Sequence, residues 1–321
     1  YFTNFYQERN IPMMLNKEGP RASVADVNAD GMDDVFIGGA NGQPGSLYLQ
    51  TNGGFQEKQN SIFEKDKAAE DVATCFFDAD NDGDKDLIVG SGGNNLPPRH
   101  QHLQLRLYLN DGKGGFSGST TAFPVNSANI STIINYDYDA DGDEDLFVGG
   151  RNLPYNYGAN PRSYLLQNDG KGNFTDVTKT LATEIENIGM VTSAVWANVS
   201  ADEKKELLIV GEWMAPRVFS FTGGKFVEQK TNMNNMLGWW QCIKAADINA
   251  DGKEDLILGN IGDNFYLHPT ESAPVKLWLG DFDNNGLPDK VFSKTVDGKD
   301  VPVFLKKEFT DILPSYKKEN L

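Results

Sequence analysis

Residues 78–86 read DADNDGDKD, with aspartates at five alternate positions. Carboxylates this close repel one another unless a cation sits among them. The same spacing recurs, with an acid or amide at positions 1, 3 and 5, glycine at 6 and aspartate at 9. The five sets are Asp26, Asn28, Asp30 and Asp34; Asp78, Asp80, Asp82 and Asp86; Asp137, Asp139, Asp141 and Asp145; Asp247, Asn249, Asp251 and Asp255; and Asp281, Asp283, Asn285 and Asp289. Oxygen donors without His or Cys select a hard cation, and calcium fits this spacing. Glycine at position 6 allows the positive φ that wraps a loop around one ion. Position 7 need offer only its carbonyl, so Met32, Asp84, Asp143, Lys253 and Leu287 can all stand there. About five structural calcium ions are expected, which would move the formal charge from −17 to −7.

An EF-hand is the competing reading, and it fails twice. It requires a bidentate Glu at position 12, where this chain has Ile37, Val89, Val148, Leu258 or Phe292. It also requires flanking helices, whereas these loops run into β-type stretches such as DLIVG and DLFVG. Each acidic loop therefore joins two strands. A sixth, worn copy at Asn198 has Glu203 in place of the glycine, and it is expected to be empty, with Lys204 or Lys205 in the ion's place.

The elements around the loops repeat as well. Loop starts at 26, 78, 137, 198, 247 and 281 leave room for one four-stranded sheet per repeat, except in the last, short interval. Behind each loop comes a hairpin signal, as in LYLNDGKGGF (107–116), where alternating residues meet an Asp-Gly turn. A unit thus reads strand A, acidic loop, strand B, longer loop, strand C, tight turn, strand D. Such units in series predict an all-β fold, a β-propeller of four-stranded blades, six by count and seven possible. Residues 1–20 are expected to supply ring-closing strands and 305–321 a short C-terminal helix, all within one domain, 1–321.

Composition narrows the function. A net charge of −17 opposes nucleic-acid binding. No apolar run approaches 18 residues, so no transmembrane segment is expected. Cys75 and Cys242, far apart and outside any metal-binding spacing, are read as two buried thiols. The chain opens on Tyr1, as a processed or excised segment would. Sites of this calcium class fill only where free calcium is high, so an extracellular, cell-surface or periplasmic location is expected.

The loops, the FIGGA at 36–40 and the LYLNDGKGGF hairpins resemble the FG-GAP/VCBS repeat family, which includes the integrin α-chain propellers. GPRASVADVNADG and GWWQCIKAADINADGKEDLILGN look closest to bacterial proteins of the cartilage-acidic-protein/UnbV type. The resemblance implies structural calcium on the face of the A–B loops and ligands on the opposite face. It also implies a propeller that is one part of a larger exported protein, beside further domains.

The B–C loops are expected at 38–46, 91–104, 150–162, 211–217 and 260–272, with Gly-Trp-Trp at 238–240 joining them from the D–A side. Arg151, Tyr155, Tyr157, Trp213, Trp239 and His268 are the candidate ligand-binding residues there, suited to stacking on sugars and to protein hot spots. His100 and His102 are expected on one side of a strand. The chain is thus read as a calcium-stabilised binding module for a protein or glycan. The alternatives are a propeller that cleaves polysaccharide, using Glu212, Asp263, Glu271 or His268, and a purely structural domain.

Overall fold

The computed structural model describes residues 8–120, 123–200, 204–286 and 288–313. Four consecutive units are antiparallel four-stranded meanders. Unit one holds β1 (Ala22–Ala25), β2 (Asp34–Ile37), β3 (Ser46–Thr51) and β4 (Gly54–Lys58). Unit two holds β5 (Asp71–Phe77), β6 (Asp86–Ser91), β7 (Arg106–Asn110) and β8 (Phe116–Gly118). Unit three holds β9 (Asn129–Tyr136), β10 (Asp145–Asn152), β11 (Tyr164–Asn168) and β12 (Phe174–Asp176). Unit four holds β13 (Met190–Ala197), β14 (Glu206–Met214), β15 (Arg217–Thr222) and β16 (Lys225–Gln229).

The core explains why strand B is an unbroken apolar run. Each hydrophobic cluster is shared by two successive units, so both faces of the middle strands are covered. Every residue of β6 and β10 is buried. Glycine stands within these strands for a steric reason. A Cβ on Gly149 would stand 2.7 Å from the Val191 side chain, and one on Gly90 would stand 2.8 Å from Ile130. Strand A of the following unit crosses at that point.

The last two units depart from the pattern. Unit five contains β17 (Gly238–Ala246) and β18 (Asp255–Asn260), with no strand C after them among the described residues. The expectation of a B–C loop at 260–272 is therefore corrected, since this segment links β18 directly to the strand A of unit six. Unit six is a three-stranded sheet of β19 (Val275–Gly280), β20 (Asp289–Val296) and β21 (Lys299–Pro302). The short interval between the last two acidic loops records the lost hairpin.

Unit six also packs differently. Its Leu277, Phe292, Val303 and Phe304 join a cluster with Tyr157, Met190, Trp213 and Trp239 from the loop ends of units three to five. Ile11, Met13 and Leu15 of the N-terminal segment complete that cluster. Among the described residues three short helices lie outside the sheets: α1 (Ser61–Lys65), α2 (Thr178–Leu181) and α3 (Lys306–Ile312). Residues 1–7, from the expected ring-closing stretch, and 314–321, from the expected C-terminal helix, lie outside the described residues, and 8–20 contain a single 3-10 turn at Leu15–Lys17. Among the described residues no helix is long and apolar enough to cross a membrane.

Candidate functional site

The acidic loops share one backbone design. The position-1 carboxylate accepts from the N–H groups of positions 5 and 6, as Asp26 does from Asp30 at 3.1 Å and Gly31 at 2.8 Å. Asp137, Asp247 and Asp281 repeat the pair, and Asp78 accepts from Gly83. The position-5 carboxylate accepts from the N–H of position 7, seen at Asp30, Asp82, Asp141 and Asp251. Gly31, Gly83, Gly142, Gly252 and Gly286 all have positive φ, as position 6 requires. Position 4 is also left-handed in all five loops, at Ala29, Asn81, Ala140, Ala250 and Asn284. No sequence signal marks it where the residue is alanine.

Position 9 does more than the sequence suggests. Asp86 accepts from Ala79 N–H at 2.9 Å and from Asn110 N–H at 2.8 Å, fastening its loop to strand C. Asp34 clasps Val27 and Gln50 in the same way, and Asp145 accepts from Asn168. Asp255 and Asp289 hold the first contact only, with Ile248 and Phe282, in the units without that strand-C partner. The side chains of Asn110 and Asn168 then donate to Val27 and Ala79 carbonyls of the preceding unit. These recurrent asparagines, overlooked as turn residues, tie neighbouring loops together.

Three groups of carboxylates converge closely enough to hold a metal ion: Asp78, Asp80 and Asp86; Asp137, Asp139 and Asp145; Asp281, Asp283 and Asp289. These are positions 1, 3 and 9. In the loops at 26 and 247, position 3 is amide, and Asn28 and Asn249 donate to Asp30 and Asp251. Among the described residues, buried oxygens of Asp78, Asp80, Asp139 and Asp145 have no hydrogen-bond partner. A buried carboxylate oxygen left so is costly unless a cation or proton satisfies it. Burial, reinforced by neighbouring aspartates, pushes Asp86 up to about 6 and Asp145 up to about 8. Asp80, Asp84 and Asp139 are raised for the same reasons. Met32, Asp84, Asp143 and Lys253 stand at position 7 with their N–H groups tied back to position 5, and Leu287 lies outside the described residues.

The worn copy keeps the clasp. Glu206 accepts from Val199 N–H at 3.0 Å and from the Ser200 hydroxyl at 2.7 Å. Lys205 lies over the Tyr136 ring.

On the opposite face, the candidate ligand residues meet a different fate. Arg151 and Tyr157 are corrected from exposed contacts to core, being 1% and 0% accessible. Arg151 donates through Nη2 to Glu212 at 2.7 Å and through Nε to both oxygens of Glu18, at 2.9 and 3.1 Å. Tyr157 donates its hydroxyl to Glu212 at 2.6 Å and accepts from Trp213 Nε1 at 2.9 Å. Trp213 and Trp239 are half-buried, edge to face with centroids 4.8 Å apart, and Phe292 of β20 packs on Trp213. Tyr155 is half-buried with φ of 61°, and exposed His268 sits in the β18–β19 link.

A further group was not singled out by sequence. Glu8 pairs with Lys290 at 3.0 Å and accepts from Asn94 at 3.2 Å, and Asn10 donates to the Lys290 carbonyl. The N-terminal segment therefore fastens unit six onto the loop face. Beside it remain Leu237, 76% exposed, and Tyr266, 60% exposed, the latter continuing the ring contacts of Trp239 and Phe265. Two smaller readings also change. Cys242 is exposed and Cys75 half-buried, and His100 and His102 lie at a 3-10 turn, not on a strand.

A profile of the FG-GAP-like repeat matches residues 26–89, 78–148 and 137–209. Each match runs from position 1 of one acidic loop to position 12 of the next, and together they span more than half of the chain. No curated protein matches it. Among solved structures it is similar to the crystal structure of exotype rhamnogalacturonan lyase YesX, at 15% identity and a TM-score of 0.38, over 78% of this chain and 50% of that one. The chain thus spans half the length of that protein, and a likeness at this level bears on neither activity nor substrate.

Proposed function

This chain belongs to the FG-GAP-like repeat family, and from that premise we propose that it is a calcium-stabilised extracellular binding module. Its partner, a protein or glycan, meets the face formed by the B–C and D–A loops. The calcium reading rests on the partnerless buried oxygens of Asp78, Asp80, Asp139 and Asp145, in loops that offer only hard oxygen donors. Calcium, when bound, supplies the positive charge that lets these carboxylates stay ionised while buried. Five such ions, one per intact loop, are the count this reading carries. An exported location goes with it, because sites of this kind need free calcium of roughly 10⁻⁴–10⁻³ M.

The observation that carries the binding role is the exposure of Leu237, two residues before Trp239, and of Tyr266, whose ring meets Phe265 and through it Trp239. Large exposed apolar side chains on rigidly held loops are suited to a partner's hot spot. Trp213, in ring contact with Trp239, and Tyr155 and His268 are the secondary contacts this reading carries. Cleavage of a polysaccharide would draw on Glu212, but that carboxylate is already shared among Arg151, Tyr157 and Gln241.

The test is a screen of the calcium-loaded chain against glycans and surface proteins, repeated with Leu237→Asp and Tyr266→Ala. Loss of binding on both substitutions is expected, with the melting temperature unchanged. A partner bound equally well by both variants would place the binding surface elsewhere.

A further inference from the structure

A cavity of about 260 Å³ lies between the first strands of four consecutive units, apart from the exposed loop strip. Ser131 of β9, Thr192 of β13 and Gln241 of β17 contribute to its wall, and the N-terminal segment adds Lys17, Glu18 and Arg21. At roughly 30 Å³ per water molecule, the space equals about nine waters. That is room for one small molecule of sugar size.

The lining has a chemical bias. Arg151 forms part of the wall and is 1% exposed, with its Nε and Nη2 committed to Glu18 and Glu212. Its Nη1 has no hydrogen-bond partner among the described residues. A buried guanidinium N–H is seldom left so, and an oxygen acceptor is what it lacks. Lys17 and Arg21 are both exposed, which places two more cations at the mouth. Three cations thus face a single lining carboxylate, Glu18, although Glu212 presses on Arg151 from outside the wall. Ser131 and Thr192 spend their hydroxyl protons on backbone carbonyls, Val191 at 2.7 Å and Trp240 at 2.7 Å. Their oxygens are left as acceptors, so the wall offers cationic donors for an acid group and acceptors for hydroxyl groups.

We propose that this cavity binds a small hydroxy acid of sugar-acid size, its carboxylate taken by Arg151 Nη1, Arg21 and Lys17 and its hydroxyls by Ser131, Thr192 and Glu18. This site is independent of the partner surface at Leu237 and Tyr266.

Titration calorimetry on the calcium-loaded chain, with glucuronate as probe and glucose as its neutral counterpart, tests the assignment. Saturable binding of glucuronate alone is expected. Arg21→Gln and Lys17→Gln change exposed side chains that leave the core untouched, and each should weaken binding about tenfold, the usual loss for one charged hydrogen bond. Three results would overturn the proposal: no saturable binding of glucuronate, equal binding of glucose, or glucuronate affinity indifferent to both substitutions. The first would mean that water alone satisfies Arg151. A Leu237→Asp chain that still binds glucuronate separates this site from the loop strip.

Discussion

At the scale of single residues, the buried aspartates make a prediction whose sign is opposite to the ordinary one. Asp86 and Asp145 stand at about 6 and about 8 because burial disfavours their charged forms. Those values lie above the unfolded carboxyl, about 3.9. In the metal-free chain the contribution of these two groups to stability is therefore fullest in acid, below the unfolded value, and it is lost as pH rises to about 6 for Asp86 and about 8 for Asp145. Calcium, as proposed, should reverse the trend, because it would bind the ionised form, and its uptake should release protons in that window. Melting curves with EDTA and with millimolar calcium, taken across this range, should diverge as pH rises, and parallel curves would argue against metal at these aspartates. In millimolar calcium each site that fills is expected to add on the order of 1 kcal/mol. The thiols give a second test. Burial and the nearby Glu144 charge push Cys75 up to about 12, while Cys242 is exposed. Iodoacetamide at mildly alkaline pH should label Cys242 and spare Cys75, read by peptide mass mapping, because only the thiolate reacts.

At the scale of elements, two glycines that look alike in sequence act through different physics. Gly149 lies within β10, where a Cβ would meet Val191 at 2.7 Å and Thr132 at 2.8 Å. Gly142 sits at φ +99° with nothing within 4 Å of its Cβ position. Gly149→Ala should cost about 1–3 kcal/mol by overpacking the strand against β13. Gly142→Ala should cost about 1–2 kcal/mol through backbone strain alone. Chemical denaturation measures both, and in a Val191→Ala background Gly149→Ala should cost less while Gly142→Ala costs the same. The turn glycine was legible from the loop pattern, because its role is local. The strand glycine's role was not, because the neighbour it accommodates is a strand 42 positions away in sequence. The same reason hid the clasp at position 9, which fastens Asp86 to Asn110 across 24 residues.

At the scale of the whole molecule, unit six is what redefines the loop face. Phe292 is 1% exposed and packs against Tyr157, Trp213 and Phe304. Phe292→Ala should destabilise the chain by about 3–5 kcal/mol through cavity formation. It should also red-shift the tryptophan emission, as Trp213 and Trp239 gain water. An unchanged spectrum would mean that unit six does not rest on the tryptophan pair. Two carboxylates, Glu8 and Glu18, hold the N-terminal segment across this junction, Glu18 reaching Arg151 over 133 residues.

The repeat, its four-stranded units and the oxygen-rich loops could all be read from the chain alone. Strand alternation, turn glycines and ligand spacing act within a few residues, and local sequence carries them. Which aromatic side chains on the opposite face reach solvent could not be read that way. Arg151, Tyr155, Tyr157, Trp213 and Trp239 look equally available in sequence, yet the first and third are core, and the others are half-buried. Their burial was decided by a sheet and an N-terminal segment brought over them from opposite ends of the chain. Solvent exposure is a property of the assembled fold, so only the tertiary structure could assign it.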